Sequence, residues 1–354
     1  MYQLNSKIRD LKPYEPLEGG YRIRLDANES FLSLAPELEA KMIDACACTL
    51  FHRYPDPMAR QVCQAFADYY KISPESVTAG NGSDELISVL MTAFLAKGDT
   101  VLTLSPDFSM YRFYASLAEV NCLELVKKSD LTIDVDELIS VAAQSKAKML
   151  LFSNPCNPTS LGLSREQVRR LIRSIDSLVV LDEAYMDFWD QSLIREVAEY
   201  DNLIVLRTCS KALGMAALRL GFAVSNPTLT NAIKAGKSPY NVNAITQNMG
   251  TAVLSEHKKI DEAVKKIVES RVVLSQKLEK LLEKYPGRFF LYPSCTNFVF
   301  LHLSDARQVY EQLLSCGIAV RLMGDSLRIT AGTTAENTEL ISALQHIFSQ
   351  GKQP

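Results

Sequence analysis

The stretch LIVLRTCSKALGMAALRLGFAV, residues 203–224, decides how the chain is read. Leu203 to Arg207 form a short apolar run of the kind that makes a strand buried on both faces, and Phe222–Val224 resumes the pattern. Lys211 follows the end of the first run, with Thr208 and Ser210 on its N-terminal side and Arg219 eight positions on. An amine at the end of a buried strand can condense with an aldehyde, while Arg, Ser and Thr are groups that hold a phosphate. A Ser-Lys pair on an ordinary surface loop looks the same locally, so its company elsewhere in the chain has to decide.

Outward from this stretch, Val101–Leu104, Met149–Phe152 and Leu178–Leu181 are further apolar runs of strand length. Helical patterns, among them Glu85–Ala96 and Arg165–Ile175, lie between them. Strand and helix in alternation predict an α/β sheet that is mostly parallel, with ligands bound beyond the carboxyl ends of its strands. From about 228 to 285 the pattern is long, helical and charged. After it, Phe289–Tyr292, Phe298–His302, Ala319–Leu322 and Ser326–Thr330 are predicted strands, and Ala306–Ser315 and Ala335–Ser349 predicted helices. This tail reads as a smaller α+β unit.

The chain has 354 residues, more than one hydrophobic core usually supports, so two domains are expected. Net charge is −3, and acidic and basic residues are mixed along the chain. No basic stripe points to a nucleic acid and no apolar run approaches membrane-spanning length. The N-terminal MYQLNSKIRDLKPYEP lacks the apolar centre of a signal peptide. Eight scattered cysteines without CxxC spacing read as reduced thiols, which with the N-terminus predicts a cytoplasmic protein. The four histidines stand far apart in no metal-binding spacing.

Three further strand ends carry polar groups. In TAGNGSDE (78–85), Gly80 and Gly82 open a tight turn into a helix starting near Ser83 and Asp84. Free N–H groups there suit a phosphate, and an ordinary N-cap accounts for the residues equally well. A dinucleotide fingerprint would need a third glycine. In NPCNPTS (154–160) two Asn-Pro pairs force a turn, and Asn157 can hydrogen-bond a ligand hydroxyl or merely shape the turn. In LVVLDEAYMDF (178–188), Asp182 and Glu183 end an apolar strand, where a carboxylate is costly without a partner. A protonated pyridine nitrogen is one partner and a structural salt bridge another, and Tyr185 would reach the neighbouring phenolic oxygen of the same ligand. Aldehyde, phosphate, pyridine and phenol belong together in pyridoxal phosphate.

With these residues in hand, LKPYEP (11–16), LDANES (25–30), RYPDP (53–57), NGSDELI (81–87), NPCNPT (154–159), DEAYMDF (182–188), SKALGMAALRLGF (210–222), PYNVN (239–243), TNF (296–298) and LRITAGT (327–333) give the chain a recognisable order. It resembles the fold-type I pyridoxal-phosphate-dependent aminotransferases over nearly its whole length, and within them the histidinol-phosphate aminotransferase family. The resemblance implies an N-terminal arm over 1–30, packed on the small domain or the partner subunit. It implies a large cofactor-binding domain over 31–240, with a mostly parallel seven-stranded sheet flanked by helices, and a small α+β domain over 241–354. Pyridoxal 5′-phosphate is the implied cofactor, with Lys211 as its Schiff-base lysine and Asp182 as partner of the pyridinium nitrogen. Tyr185 and Asn157 would bind the phenolic oxygen, and Phe108 in SPDFSMY would stack on the ring. The helix start at Gly82, Ser83 and Asp84, with Thr208, Ser210 and Arg219, would cradle the phosphate. Tyr54 would reach the cofactor of the other subunit in a homodimer. Tyr14, Asn28, Arg321 and Arg328 would grip the anionic tail of a small amino donor or of its 2-oxo acid acceptor.

Departures from the family pattern are Ser160 where glycine is usual, Met215-Ala216-Ala217 for Leu-Ala-Gly, and a short loop between Arg321 and Arg328. Aromatic aminotransferases and threonine-phosphate decarboxylases share the implied fold and are the nearest alternatives. A non-catalytic pyridoxal-phosphate-binding regulator would need a basic recognition helix, and the segment before residue 30 has none.

Overall fold

The computed structural model describes residues 2–9, 11–13 and 15–350. Seven strands form its main sheet in the order Val77–Gly80, Gly221–Ser225, Leu203–Thr208, Leu178–Asp182, Met149–Ser153, Thr100–Ser105, Asn121–Val126. Gly221–Ser225 runs against both neighbours, and the other six strands run one way. The apolar runs are continuous because both faces are covered. Phe152, Leu181 and Val205 point into one helical layer, and Leu151, Val180 and Leu206 into the other.

Two strands lie outside the sequence expectation. Asn121–Val126 is the sheet edge, where exposed residues interrupt the apolar pattern. Val77–Gly80 is only four residues, too short to show a period. The helix expected over Glu85–Ala96 runs from Ser83 to Ala93, starting at the tight turn itself. Helix Arg165–Ser174 starts where Ser164 and Gln167 close a capping box.

The long helical stretch is three helices, Pro227–Gly236, Ala244–Leu254 and His257–Lys284. Pro239 and the N-capping Asn243 interrupt the pattern between the first two. Helix Ala244–Leu254 packs with the main sheet's core, as do Ile260 and Ile267 of the next helix. Leu274, Leu278 and Leu281 of that same helix belong to the second core. One face of a 28-residue helix thus serves both cores, and the hydrophobic partition falls between Ile267 and Leu274, beyond residue 240.

The second core lies under an antiparallel sheet in the order Arg321–Leu322, Ser326–Thr330, Phe298–His302, Phe290–Leu291, covered by helices Ala306–Ser315 and Thr334–Gln350. The single strand expected over Ala319–Leu322 is divided. Ile318–Ala319 pairs in parallel with Ile23–Arg24 of the N-terminal segment, while Arg321–Leu322 pairs with Ser326–Thr330. A two-residue strand on each side of Val320 lets the chain serve two sheets in turn. The N-terminal segment is thereby held to the small sheet's side of the molecule. Among the described residues no helix is long and apolar enough to cross a membrane.

Candidate active site

The strands Met149–Ser153 and Leu178–Asp182 end side by side, with Ser153 opposite Asp182. Alternation along the strand turns Asp182 to the face that holds Tyr111, and Glu183 to the other. Tyr111 donates its hydroxyl to Asp182 Oδ2 at 2.8 Å, and the Ala184 N–H donates to Oδ1 at 3.1 Å. Among the described residues no cation lies within ion-pair distance of this carboxyl. Burial therefore wins, pushing it up to about 7 against the pull of those two bonds.

Lys211 projects beyond the end of strand Leu203–Thr208, and its Nζ donates to Ala27 O at 3.0 Å. Part of the side chain faces open space, yet protein crowds the amine closely. Desolvation, then the nearby Arg328 guanidinium, lowers it to about 8, against the raising effect of Glu29 and Asp84. Beside it, Ser210 Oγ takes a hydrogen bond from Thr208 Oγ1 at 3.1 Å and lies 3.4 Å from Arg219 Nη1. The other arm of Arg219 reaches Asp84 Oδ2 at 3.1 Å, at the start of helix Ser83–Ala93.

Two glycines make this meeting of backbone and guanidinium possible. Gly82 has φ +82°, and a Cβ on it would come within 2.8 Å of Arg219 Nη2. A Cβ on Gly221 would lie 2.4 Å from the Ser83 nitrogen. Thr208, Ser210, Arg219 and the helix start with Gly82, Ser83 and Asp84 are therefore one cluster. The segment from Lys237 to Asn241 braces it, Asn241 Nδ2 donating to Glu85 Oε2 at 2.6 Å.

A third group approaches from the small sheet. Arg328 on strand Ser326–Thr330 donates to Asn157 Oδ1 and to Asp26 O, both at 2.6 Å. Because Asn157 uses its oxygen on Arg328, its NH2 is the end left to meet a ligand. Tyr185 OH accepts from Asn28 Nδ2 at 2.9 Å, so its own proton is available to donate. Burial is the main cause that raises this phenol, with Arg328 and Asn28 pulling against it. Asn28 sits at φ +54°, a conformation asparagine tolerates better than most residues, and Thr330 holds its backbone and side chain. Arg321 is half-buried directly opposite Arg328 in the antiparallel ladder.

Phe108 packs edge-on against Tyr111, with ring centroids 5.5 Å apart. Tyr54 stands apart from this assembly. It is 81% exposed and stacks on Tyr240 at 4.6 Å, with no hydrogen bond to the cluster among the described residues. Tyr14 lies outside the described residues. Tyr111 is a group the sequence reading passed over. Its signal is its spacing, three residues after Phe108 at the start of helix Met110–Leu117, which puts both rings on one side.

The model of the family described as aminotransferase class I and II matches residues 22–344. A histidinol-phosphate aminotransferase from Clostridium kluyveri is 42% identical over 346 residues, covering 96% of this chain and 97% of the relative. Among solved structures, the histidinol-phosphate aminotransferase of Sinorhizobium meliloti in complex with pyridoxal-5′-phosphate superposes with a TM-score of 0.87 at 24% identity, covering 98% of each chain. The L-threonine-O-3-phosphate decarboxylase of Porphyromonas gingivalis gives 0.79 at 22% identity over 92% of this chain and 99% of its own. At such identities the superpositions speak for the fold and not for the reaction.

Proposed function

The chain belongs to the class I and II aminotransferases, and within them to the histidinol-phosphate aminotransferase family; from that premise we propose that it moves an amino group from L-histidinol phosphate to 2-oxoglutarate, giving imidazole-acetol phosphate and L-glutamate. Pyridoxal 5′-phosphate is the cofactor of such an enzyme, and the residues fit it. The observation that carries the reading is a buried carboxyl, Asp182, with no cation within ion-pair distance among the described residues, at the same sheet edge as an amine lowered to about 8. Asp182 would pair there with a protonated ring nitrogen of the cofactor. When bound, the cofactor supplies an electron sink next to the substrate's α-carbon.

The protein's residues do the rest. Lys211 has a sizeable neutral fraction near pH 8, as an amine needs in order to attack a carbonyl and later to take and return a proton at Nζ. Asp182 would keep the ring nitrogen protonated. The Tyr185 hydroxyl and the Asn157 NH2 are poised to donate to a phenolic oxygen, and the Phe108 ring is suited to stack on the heterocycle. The N–H groups at Gly82, Ser83 and Asp84, with Thr208, Ser210 and Arg219, form an anion cradle.

Arg328 and Arg321, with Asn28 and Tyr14, are the groups we assign to the substrate's tail. Both amino donor and acceptor end in an anion, and a guanidinium fork accepts phosphate or carboxylate alike. A homodimer is part of this reading. Ile43, Leu50, Phe51 and Tyr54 are large apolar residues exposed close together in sequence, and burying them against a second copy would bring Tyr54 to that copy's cradle. Eight cysteines, all free, suit the cytoplasm.

Purified protein with histidinol phosphate and 2-oxoglutarate should form glutamate faster than with aromatic donors. Borohydride treatment should leave the pyridoxyl mass on the peptide containing Lys211. Faster turnover of phenylalanine or tyrosine would reassign the substrate, and release of carbon dioxide from threonine phosphate would reassign the reaction.

A further inference from the structure

Lys127 is a buried charge that the reading above leaves without a task. It follows the edge strand Asn121–Val126 and is only 7% exposed. Its backbone N–H donates to Ser105 O at 2.8 Å. Its ammonium donates to Pro106 O at 2.8 Å and to the Cys156 sulfur at 2.9 Å. Pro106 lies two residues before Phe108, and Cys156 immediately precedes Asn157. One side chain thus fastens two separate loops, each bearing a group assigned to the cofactor.

The counter-charge comes from the same loops. Asp107 is half-buried and accepts hydrogen bonds from the Phe108 N–H at 2.7 Å, from the Ser153 N–H at 3.2 Å and from the Ser153 hydroxyl. That hydroxyl in turn accepts the Asn157 N–H at 3.2 Å. Burial pulls the Lys127 ammonium down, but Cys156 and Asp107 outweigh it and hold the group above the ordinary lysine range. Cys156, raised by burial and by Asp107, stays a neutral thiol. The ammonium therefore sits against a carbonyl and a thiol, with the Asp107 carboxyl acting on it from beyond ion-pair distance. A buried ammonium costs several kcal/mol unless so compensated. Tying two loops together for the fold alone would not require a charge, since an apolar side chain fills such a site as well.

We infer that Lys127 is a positioning residue for the cofactor, holding the loop of Phe108 and the turn of Asn157 at a fixed separation so that ring stacking and the bond to the phenolic oxygen are made together. The inference rests on the cofactor reading given above. Its consequence is spectroscopic. If the Asn157 donor drifts, the phenolic oxygen loses a hydrogen bond that favours its anion, and the linked chromophore holds its proton to higher pH.

The test uses the full-length holoenzyme, pyridoxal phosphate as the probe, and Lys127→Met, which keeps the stem and removes the charge. The pH midpoint of the visible absorbance change should rise by roughly half a unit to one unit. Cofactor affinity should weaken about tenfold, as for the loss of one buried hydrogen bond. A variant that melts earlier but titrates at the wild-type midpoint, with wild-type affinity, overturns the inference and leaves Lys127 a matter of stability. If Lys127→Met does not fold, Cys156→Ala removes one anchor without touching the charge. It should shift the midpoint the same way by less, and an unmoved midpoint there is equally fatal. A wild-type protein that shows no visible band with pyridoxal phosphate would sink the cofactor reading itself, and this inference with it.

Discussion

Asp182 and Glu183 are neighbours at the end of one strand, both buried, and their surroundings differ in kind. Glu183 faces Arg207 on the adjacent strand, with Nη2 2.9 Å from Oε2. The other arm of that guanidinium holds Asp187 Oδ1 at 2.6 Å, and its Cζ lies 4.9 Å from the centre of the Tyr70 ring. Ser192 donates to Glu183 at 2.6 Å, the Leu193 N–H adds a further bond at 3.3 Å, and Tyr70 donates to Asp187 at 2.8 Å. Burial raises Glu183 as well, but Arg207 pulls against it. Among the described residues Asp182 has two hydrogen bonds and no cation within ion-pair distance. On one face of the sheet the described residues complete the electrostatics, and on the other they leave a buried carboxyl without a cation, which we assign to the ligand. That difference separates a structural ion cluster from a binding site more sharply than burial, which the two residues share.

Breaking the completed cluster should harm the fold most. Arg207→Met leaves Glu183 and Asp187 as buried carboxylates without their cation, at an expected cost of about 3–5 kcal/mol. Chemical denaturation should show this with and without cofactor. Asp182→Asn should do the reverse. Activity should fall on the order of a thousandfold, while the cofactor-free variant should be at least as stable as wild type near pH 8. The sign follows from proton counts. The folded carboxyl, at about 7, binds protons more tightly than in the unfolded chain, so it costs stability as pH rises from about 4 through 7. Cofactor-free wild type should lose stability across that window, and Asp182→Asn should show a shallower loss. Equal slopes would mean that Asp182 has a partner after all.

A smaller effect concerns Lys211, the other incomplete group. Its amine is lowered to about 8, so the rate at which cofactor-free protein takes up pyridoxal phosphate should climb with pH and level off near 8. An ordinary exposed lysine would still be climbing two units higher. Since Arg328 is the main neighbouring cation that lowers it, Arg328→Ala should move the inflection upward. An inflection that stays put would assign the shift to burial alone.

Both carboxylates of the comparison were legible from sequence, and what each one meets was not. A lysine or a carboxylate that ends an entirely apolar run stands out, because such a strand offers it no partner. Lys211 and Asp182 stand out that way, and the family resemblance adds Tyr185 and Asn157 as the groups expected to share their ligand. Partners contributed by tertiary packing left no comparable trace. Tyr111 meets Asp182 only because helix Met110–Leu117 is laid on that face of the sheet, and Lys127 meets Cys156 only through an edge strand too interrupted to notice. The divided segment around Val320 escaped for a related reason, since two-residue strands have no period and are defined by what lies alongside them.

Ser160 tests the comparison at its gentlest, because there a local cost is met by internal bonds, as at Glu183. It is buried at φ +63°, where glycine would be unstrained. Its hydroxyl pairs with Ser294 Oγ at 2.9 Å and Thr296 Oγ1 at 2.7 Å, tying the Asn-Pro turn to the small unit. Left-handed backbone costs about 1 kcal/mol, and each hydrogen bond returns a similar amount. Ser294 and Thr296 also donate to Phe298 O, so they keep a partner if the serine goes. Ser160→Gly should therefore change stability by about 1 kcal/mol or less, since relieved strain offsets lost bonds. Ser160→Ala keeps the strain and loses the same bonds, so it should be the less stable of the two by about 1 kcal/mol. Alanine matching wild type would show that the hydroxyl bonds contribute nothing, and a large loss with glycine would show that the brace matters beyond its local cost.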